Sequence, residues 1–497
     1  MSIRFSVYRF KMSEILGFPR EVLDRARRSR DPRFDGKFFI AVLSTGIYCR
    51  SICPVRLYSS AVRYYASAAE SAAAGFRPCL RCRPEAAPGS PAWTGKSAVV
   101  RRALRLIHEG ALDKGSVEDL AARVGVGARY LNRLLVEQIG ASPLAIAQTR
   151  RLHFAKRLLD DTDLPVTEIA LAAGYGSVRR FNSALKETYK RSPRELRKRR
   201  TVKVDAADEI TLRLAYRPPY DWNGLLAFLS RRAVTGLERV DESSYARTVR
   251  TSAGHAWIEV RACEGADALQ VRVRGAPSSD LFELSSRIRR VFDLAADPLQ
   301  ISDAFHGDRR LGALVARNPG LRIPGVWDPF ECAVRTIVAE QRMPEAARTQ
   351  LLRLVERAGA PIGSIADGLS HLFPTPEALV KCDLSDLGMT PARAEAVHEL
   401  ARAVCSGRLN FNDSVEEVTQ ALAQIAALGS SGAAYVALRG LGEPDAFPNT
   451  DLTLRREAHR GDSVWTPRAL EARAEAWRPW RGYAAFHLWA AAAGAEQ

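Results

Sequence analysis

Four cysteines carry the most specific chemistry in this chain. Cys49 and Cys53 form a C-x3-C pair, and Cys79 and Cys82 form a C-x2-C pair beyond an intervening helix-like stretch. Two such pairs bring four thiolates to one tetrahedral Zn2+. A disulfide framework is not expected, because the start Met1-Ser-Ile-Arg-Phe lacks the layout of a secretory leader. Zn2+ keeps four coordinating thiolates deprotonated, and the net formal charge of about −2 leaves their sulfurs electron-rich and nucleophilic. Spacing alone leaves open whether the site is a structural knot or a reactive centre, and which sulfur would react. Cys263, Cys332, Cys382 and Cys405 are scattered and read as reduced core or surface residues.

A second set of residues could read DNA. Ser116 caps a helix that turns at Gly125 into a second helix bearing Arg129, Tyr130, Asn132 and Arg133. The pattern recurs when the helix from Thr167 leads through Gly176 into one bearing Ser177, Arg179, Arg180 and Asn182. A helix-turn-helix places its second helix in the major groove, so these eight residues are candidate base and phosphate contacts. Leu131, Leu134, Leu135, Phe181 and Leu185 are their expected core partners. A long helix from about Pro143 to Leu159 joins the units, so residues 98 to 200 read as all helix. Residues 1 to 30 read as helix-like with a basic cluster at Arg25, Arg27, Arg28 and Arg30.

From Glu209 the period shifts to two. The runs from Ile210, Ser244, Ala256 and Ala268 alternate like half-buried strands, with helices expected at about 222 to 232 and 279 to 293. Beyond residue 300 the pattern is helical again. In a chain of 497 residues this makes three to four domains. The net charge of +17 points to a polyanionic partner. Residues 1 to 97 and 98 to 200 carry +10 each and the remainder −3, so DNA attraction is expected in the first 200 residues. No apolar run approaches the ~20 residues of a membrane span, so a cytoplasmic protein without a membrane partner is expected.

These motifs carry resemblances. The stretch from Phe34-Asp-Gly-Lys through Thr45-Gly-Ile-Tyr-Cys-Arg to Cys82-Arg-Pro resembles the methyl-phosphotriester-repair domain of Ada-type proteins, which implies Cys49 as the methyl acceptor. The family usually has Pro-Ser between the first two cysteines where this chain has Ser51 and Ile52. Residues 98 to 200 resemble the AraC-type DNA-binding domain, closed by the run from Lys190 to Arg197. Tyr216-Arg-Pro-Pro-Tyr-Asp-Trp222, Leu321-Arg-Ile-Pro-Gly-Val-Trp327, Tyr435-Val-Ala-Leu-Arg-Gly440 and His487-Leu-Trp489 resemble the alkylpurine DNA glycosylase AlkA family. That resemblance implies Asp451 as the catalytic acid, with Phe228, Tyr435 and Trp489 lining a base pocket whose aromatic faces favour a cationic base. Read from physics alone, Asp451 before Leu452-Thr-Leu is more readily a helix N-cap than a catalytic acid.

Two departures stand out in the glycosylase-like half. The helix-hairpin-helix turn keeps Gly429 and Gly432 as phosphate-contact candidates, but Ala427 and Ser431 replace the usual Gly and Trp. The wedge segment that fills the gap behind a flipped base holds Gln341, with an unexpected Glu340 beside it. A Pro-Cys-His run of the O6-methylguanine methyltransferase type does not occur in the chain.

The expected fold is multidomain α+β: a small zinc-bound α/β domain (1–88), an all-α double helix-turn-helix domain (96–200), an antiparallel-sheet α+β domain (208–293) and an all-α helix-hairpin-helix glycosylase domain (294–497). The resemblances imply double-stranded DNA as partner, at alkylated sites and promoters, RNA polymerase as the partner of an activator, one Zn2+ as cofactor, and action as a monomer. The alternative reading is a regulator whose glycosylase-like half binds DNA without excising a base.

Overall fold

The computed structural model describes residues 14–15, 18–55, 61–88, 98–197, 209–340, 344–366, 368–458 and 464–495. Helix α1 (Arg20–Ser29) leads into a four-stranded sheet of β1 (Phe39–Val42), β2 (Ile47–Arg50), β3 (Val62–Tyr65) and β4 (Arg77–Pro78), ordered β3-β1-β2-β4. The helix-like reading of residues 1 to 30 holds for α1; Glu14–Ile15 instead pairs antiparallel with Phe18–Pro19. Gly46, at φ 63°, makes the β1–β2 turn in a left-handed conformation that disfavours a side chain. The β2–β4 pairing is parallel, Tyr48 opposite Pro78, with Cys79 N–H donating to Tyr48 O at 3.0 Å. That register brings the two cysteine pairs together. Helix α2 (Ala68–Ala73) packs on the sheet.

Helices α3 (Ala98–Glu109), α4 (Val117–Arg123), α5 (Ala128–Ile139), α6 (Pro143–Asp161), α7 (Val166–Ala172) and α8 (Val178–Tyr189) follow. Their ends are set locally. Ser116 and Asp119 form a reciprocal capping box, Ser142 caps α6 before Pro143, and Ser177 caps α8. Gly125 and Gly174 take positive φ at the two tight turns. Leu131, Leu135, Phe181 and Leu185 are buried and Leu134 is half-buried.

A five-stranded antiparallel sheet comes next: β5 (Glu209–Ala215), β6 (Glu238–Val240), β7 (Ser244–Thr251), β8 (Gly254–Ala262) and β9 (Ala268–Arg274), ordered β5-β9-β8-β7-β6. Alternation is clear in β5, where Leu212 and Leu214 are buried and Arg213 is exposed. Helices α9 (Trp222–Ser230) and α10 (Leu281–Val291) match the expected positions. The helical half contains α11 (Pro329–Ala339), α12 (Pro391–Cys405), α13 (Val415–Ala423), α14 (Gly429–Arg439), α15 (Leu452–Glu457) and α16 (Arg481–Ala495) among its helices. No helix among the described residues is long and apolar enough to cross a membrane.

The parts are packed together. One buried apolar cluster runs from Leu152 and Phe154 on α6 through Leu212, Val260 and Val271 to Phe282 on α10. Lys37 Nζ meets Asp297 Oδ1 at 2.6 Å, both essentially fully buried, joining the cysteine-bearing domain to the helical half. Arg217 is wholly buried and donates to the carbonyls of Asp35, Pro88 and Ala295 at 3.1 to 3.2 Å. Arg102 makes a two-bond fork to Glu416 at 2.8 and 3.0 Å, which links α3 to the start of α13.

Candidate functional site

Cys49 sits at the third position of β2, Cys53 in the turn that follows, and Cys79 and Cys82 just past β4. Their sulfurs lie within 4.8 Å of one another, and all four residues are buried. With Zn–S bonds of ~2.3 Å a tetrahedral site needs sulfurs about 3.8 Å apart, so this cluster fits one Zn2+. Backbone donors are unevenly shared. Cys82 Sγ accepts the Arg50 N–H at 3.4 Å, and the N–H groups of Val55 and Cys82 act on Cys53 and Cys79. The strongest influences on Cys49 are instead the other three sulfurs. An N–H donor withdraws electron density from a thiolate, so the four sulfurs do not sit in equivalent surroundings. Cys49 is the least exposed of the four, at 3 %.

The Arg50 guanidinium fixes this corner. Its Nε donates to Asp35 Oδ1 at 2.9 Å, its Nη2 also reaches Asp35, and its Nη1 donates to Cys82 O at 3.1 Å. Asp35 O in turn accepts from Arg217. Beside Cys49, Tyr48 Oη lies 3.1 Å from His153 Nε2 on α6. Arg83, next to Cys82, meets Asp160 at 2.8 Å and Asp161 at 3.2 Å at the end of the same helix.

The DNA-reading candidates of α5 and α8 are all exposed: Arg129, Tyr130, Asn132 and Arg133 on one, Arg179, Arg180 and Asn182 on the other, with Ser177 at the α8 start. Arg133 lies 5.1 Å from the Tyr130 ring centre and 3.9 Å from Glu137. Ser177 Oγ accepts the Arg180 N–H at 3.3 Å, so it caps the helix as well as facing outward. The +10 charge of this region is only partly presented outward. Arg105 donates inward to Gly442 O at 2.7 Å, and Arg150 to Ser286 Oγ at 2.6 Å.

In the helical half, Asp451, Trp489, Tyr435 and Phe228 come together from α15, α16, α14 and α9. Trp489 Nε1 donates to Asp451 Oδ1 at 3.1 Å, and the same oxygen caps α15 through the Leu454 N–H at 2.8 Å. Tyr435 packs edge-on to Trp489 with ring centres 5.9 Å apart. Phe486 bridges Trp489 (5.2 Å) and Phe228 (5.8 Å).

Two arginines given no role in the sequence reading complete this cluster. Arg439, buried, donates to Tyr435 Oη at 2.7 Å and Pro324 O at 2.6 Å, and lies 4.8 Å from the Phe228 ring centre. Arg232 lies 3.9 Å from the same ring. The chain's own guanidinium groups therefore already lie against Phe228 and Tyr435, the two rings expected beside Trp489 in the base pocket. Among the described residues no such cation lies on the Trp489 ring, which stands beside the carboxylate.

The hairpin between α13 and α14 keeps its glycine requirement. Gly429 has φ 53°, and a Cβ on Gly432 would come within 3.1 Å of Leu428 Cδ2 and 3.5 Å of Thr336 Cγ2. The exposed Ser430 and half-buried Ser431 occupy the first turn of α14, where backbone N–H groups point outward. Glu340 ends α11, and its carbonyl accepts from Arg393 Nη2 at 2.7 Å. Gln341 lies outside the described residues.

A four-sulfur metal centre, paired helix-turn-helix units and a helix-hairpin-helix half with a carboxylate held by an indole define a zinc-dependent DNA-binding regulator fused to a glycosylase-type repair fold. Comparison with known proteins gives the same composite. The family described as "Metal binding domain of Ada" matches residues 23–85, "Helix-turn-helix domain" residues 120–199, and "AlkA N-terminal domain" residues 211–328. A Mycobacterium tuberculosis protein named "Probable bifunctional transcriptional activator/DNA repair enzyme AlkA" is 39% identical over 473 residues, covering 94% of this chain and 95% of the relative. The Escherichia coli "DNA-3-methyladenine glycosylase 2" is 32% identical over 281 residues, 56% of this chain and 95% of that protein. The Escherichia coli "Bifunctional transcriptional activator/DNA repair enzyme Ada" is 36% identical over 148 residues, 30% of this chain and 40% of that protein. The chain belongs to the family of bifunctional transcriptional activator/DNA repair enzymes of the AlkA type.

Proposed function

We propose that this chain acts on alkylated DNA at two places, accepting a methyl group on Cys49 and excising alkylated purines at Asp451. The observation that carries the reading is the presence, in one chain matched along almost its whole length, of both the four-sulfur cluster and the Asp451–Trp489 pair. The division expected from sequence, 1–88, 96–200, 208–293 and 294–497, assigns the first reaction to the first domain and the second to the last.

Cys49, Cys53, Cys79 and Cys82 would hold Zn2+, which when bound would keep their thiols ionised. The Cys49 thiolate attacks the methyl carbon of a DNA methylphosphotriester. An S–C bond forms, the C–O bond breaks and the phosphodiester anion leaves. The product thioether lowers the site's negative charge by about one unit, which reduces repulsion from DNA phosphates. The α5 and α8 residues then hold a promoter duplex as a monomer, in a complex that engages RNA polymerase.

Excision needs a flipped base and a stabilised sugar cation. Asp451 Oδ2 accepts no hydrogen bond among the described residues, so it is available to stabilise that cation and take a proton from the attacking water. Trp489 offers its face to the cationic base. A second reading, a regulator whose glycosylase-like half binds DNA without excising, is favoured by Arg232 and Arg439 against Phe228. Incubating the zinc-loaded protein with methylated duplex DNA, then measuring methyl bound to the chain and base released, tests both halves. Methyl transfer without release supports the second reading, and the absence of both events refutes the proposal.

A further inference from the structure

A cavity of about 230 Å3 lies where the cysteine-bearing domain, the helix-turn-helix helices and the glycosylase-like half meet. Its wall includes Phe39 and Glu85 from the first, Arg150 and Arg157 from α6, and Arg289 and Asp293 from the third. The charge on that wall is unbalanced. The Arg289 side chain makes no hydrogen bond or ion pair with any described residue, and the charged groups that act on it are Arg157, Arg150 and Arg217, all cations. Burial, reinforced by these three, pushes its pKa well below the ordinary guanidinium value. Arg157 Nε is buried without a hydrogen-bond partner, and the guanidinium lies 5.4 Å from the Phe154 ring centre.

The carboxylates nearby are shared with other cations: Asp161 and Glu85 act on Arg157, and neither oxygen of Glu85 accepts a hydrogen bond from a described residue. Glu85 lies 3.6 Å from Lys156 and 3.5 Å from Arg83. Asp293 accepts from Tyr483 Oη and from the Ile323 N–H at 3.2 Å, and burial pushes its pKa up to about 6. Arg150 is held ready: it meets Asp113 at 3.1 Å and Ser286 Oγ at 2.6 Å and lies 3.9 Å from the Phe282 ring centre. Burial keeps His108 and His153 neutral at pH 7, with pKa values near 4 and 3, so neither adds charge.

A half-buried guanidinium without a partner is poorly solvated, whereas an anion brought to it forms charge-assisted, forked hydrogen bonds. Phosphate oxygens match the geometry of the arginine fork. The volume equals roughly seven to eight water molecules, room for a phosphate or pyrophosphate with its remaining water. We propose that this cavity is a binding site for a small phosphate-bearing anion, clamped by Arg289 and Arg157 and steadied by Arg150. Because its walls come from all three parts of the chain, the bound anion fastens the DNA-reading helices to both repair domains. The proposal does not rest on either repair reaction.

The test is calorimetric titration and thermal melting of the full-length zinc-loaded protein with inorganic phosphate, pyrophosphate or a nucleoside 5′-monophosphate, against chloride at equal ionic strength. Saturable binding of one anion per chain with a raised Tm is expected, and the tightest of the three identifies the free or the nucleotide-borne phosphate as the source. Arg289→Met should weaken binding by at least about tenfold, while the ligand-free Tm stays level or rises because an uncompensated charge has gone. The exposed Arg408→Met is the control and should bind normally. If Arg289→Met fails to fold, Arg157→Met is judged by the same criteria. The proposal is overturned if the intact protein shows no saturable binding, if both arginine variants bind like the parent, or if a short DNA duplex displaces the anion.

Discussion

Trp489 Nε1 donates to Asp451 Oδ1 at 3.1 Å, and that oxygen also receives the Leu454 N–H at 2.8 Å. One oxygen of Asp451 is thus committed to the α15 cap and the indole, and the other is left for chemistry. The cap that the sequence set against catalysis is present, and it leaves one oxygen for the proposed role.

Asp451→Asn keeps an oxygen for the cap and should leave the Tm nearly unchanged. Asp451→Ala removes the cap and should cost about 1 kcal/mol. Denaturant melts of the two variants check this difference, and equal losses would contradict the cap assignment.

Asp293 gives a pH dependence. Burial lifts its folded-state pKa to about 6, so the stability it contributes is complete below its unfolded value of about 4 and lost as pH rises through 6. Asn at this position keeps the acceptor for Tyr483 and Ile323 and tolerates the positive φ of 48°. Asp293→Asn should therefore be more stable than the parent at pH 7.5, by up to about 3 kcal/mol, and equal to it near pH 4. Melting curves across that range test the sign.

Lys37 and Asp297 form a buried pair across the interface between the cysteine-bearing domain and the helical half. Lys37→Met strands the carboxylate and should cost about 3–5 kcal/mol. The double variant Lys37→Met/Asp297→Asn should recover part of that loss. A Lys37→Met protein of parental stability would show that the pair does not hold the domains together.

Zinc removal should loosen the first domain selectively. Four thiols within 4.8 Å have no other common partner, so a chelator should expose the region around β2 and β4 to proteolysis. Cys49→Ala should abolish methyl uptake while Cys263→Ala leaves it intact, as read by peptide mass.

Local spacing made the zinc site and the helix-turn-helix units legible: both cysteine pairs, the Ser116 and Ser177 caps and the Gly125 turn lie within a few residues of their partners. Strand β6 escaped notice because its three residues, Glu238, Arg239 and Val240, offer too short an alternation. Arg439 escaped because its role depends on Pro324 and Phe228, each over a hundred residues away. Arg289 looks like one basic residue on an amphipathic helix, and only tertiary packing turns it inward. For the same reason the basic first 200 residues overstate the charge presented to DNA.

The central claim, that one chain carries both a methyl acceptor and a working glycosylase, is tested most directly by base release from methylated duplex DNA. The intact zinc-loaded protein should free alkylated purine, and Asp451→Asn should be slower by about 10²-fold or more at unchanged stability. Equal release by both proteins, or none by the folded parent, would contradict the account.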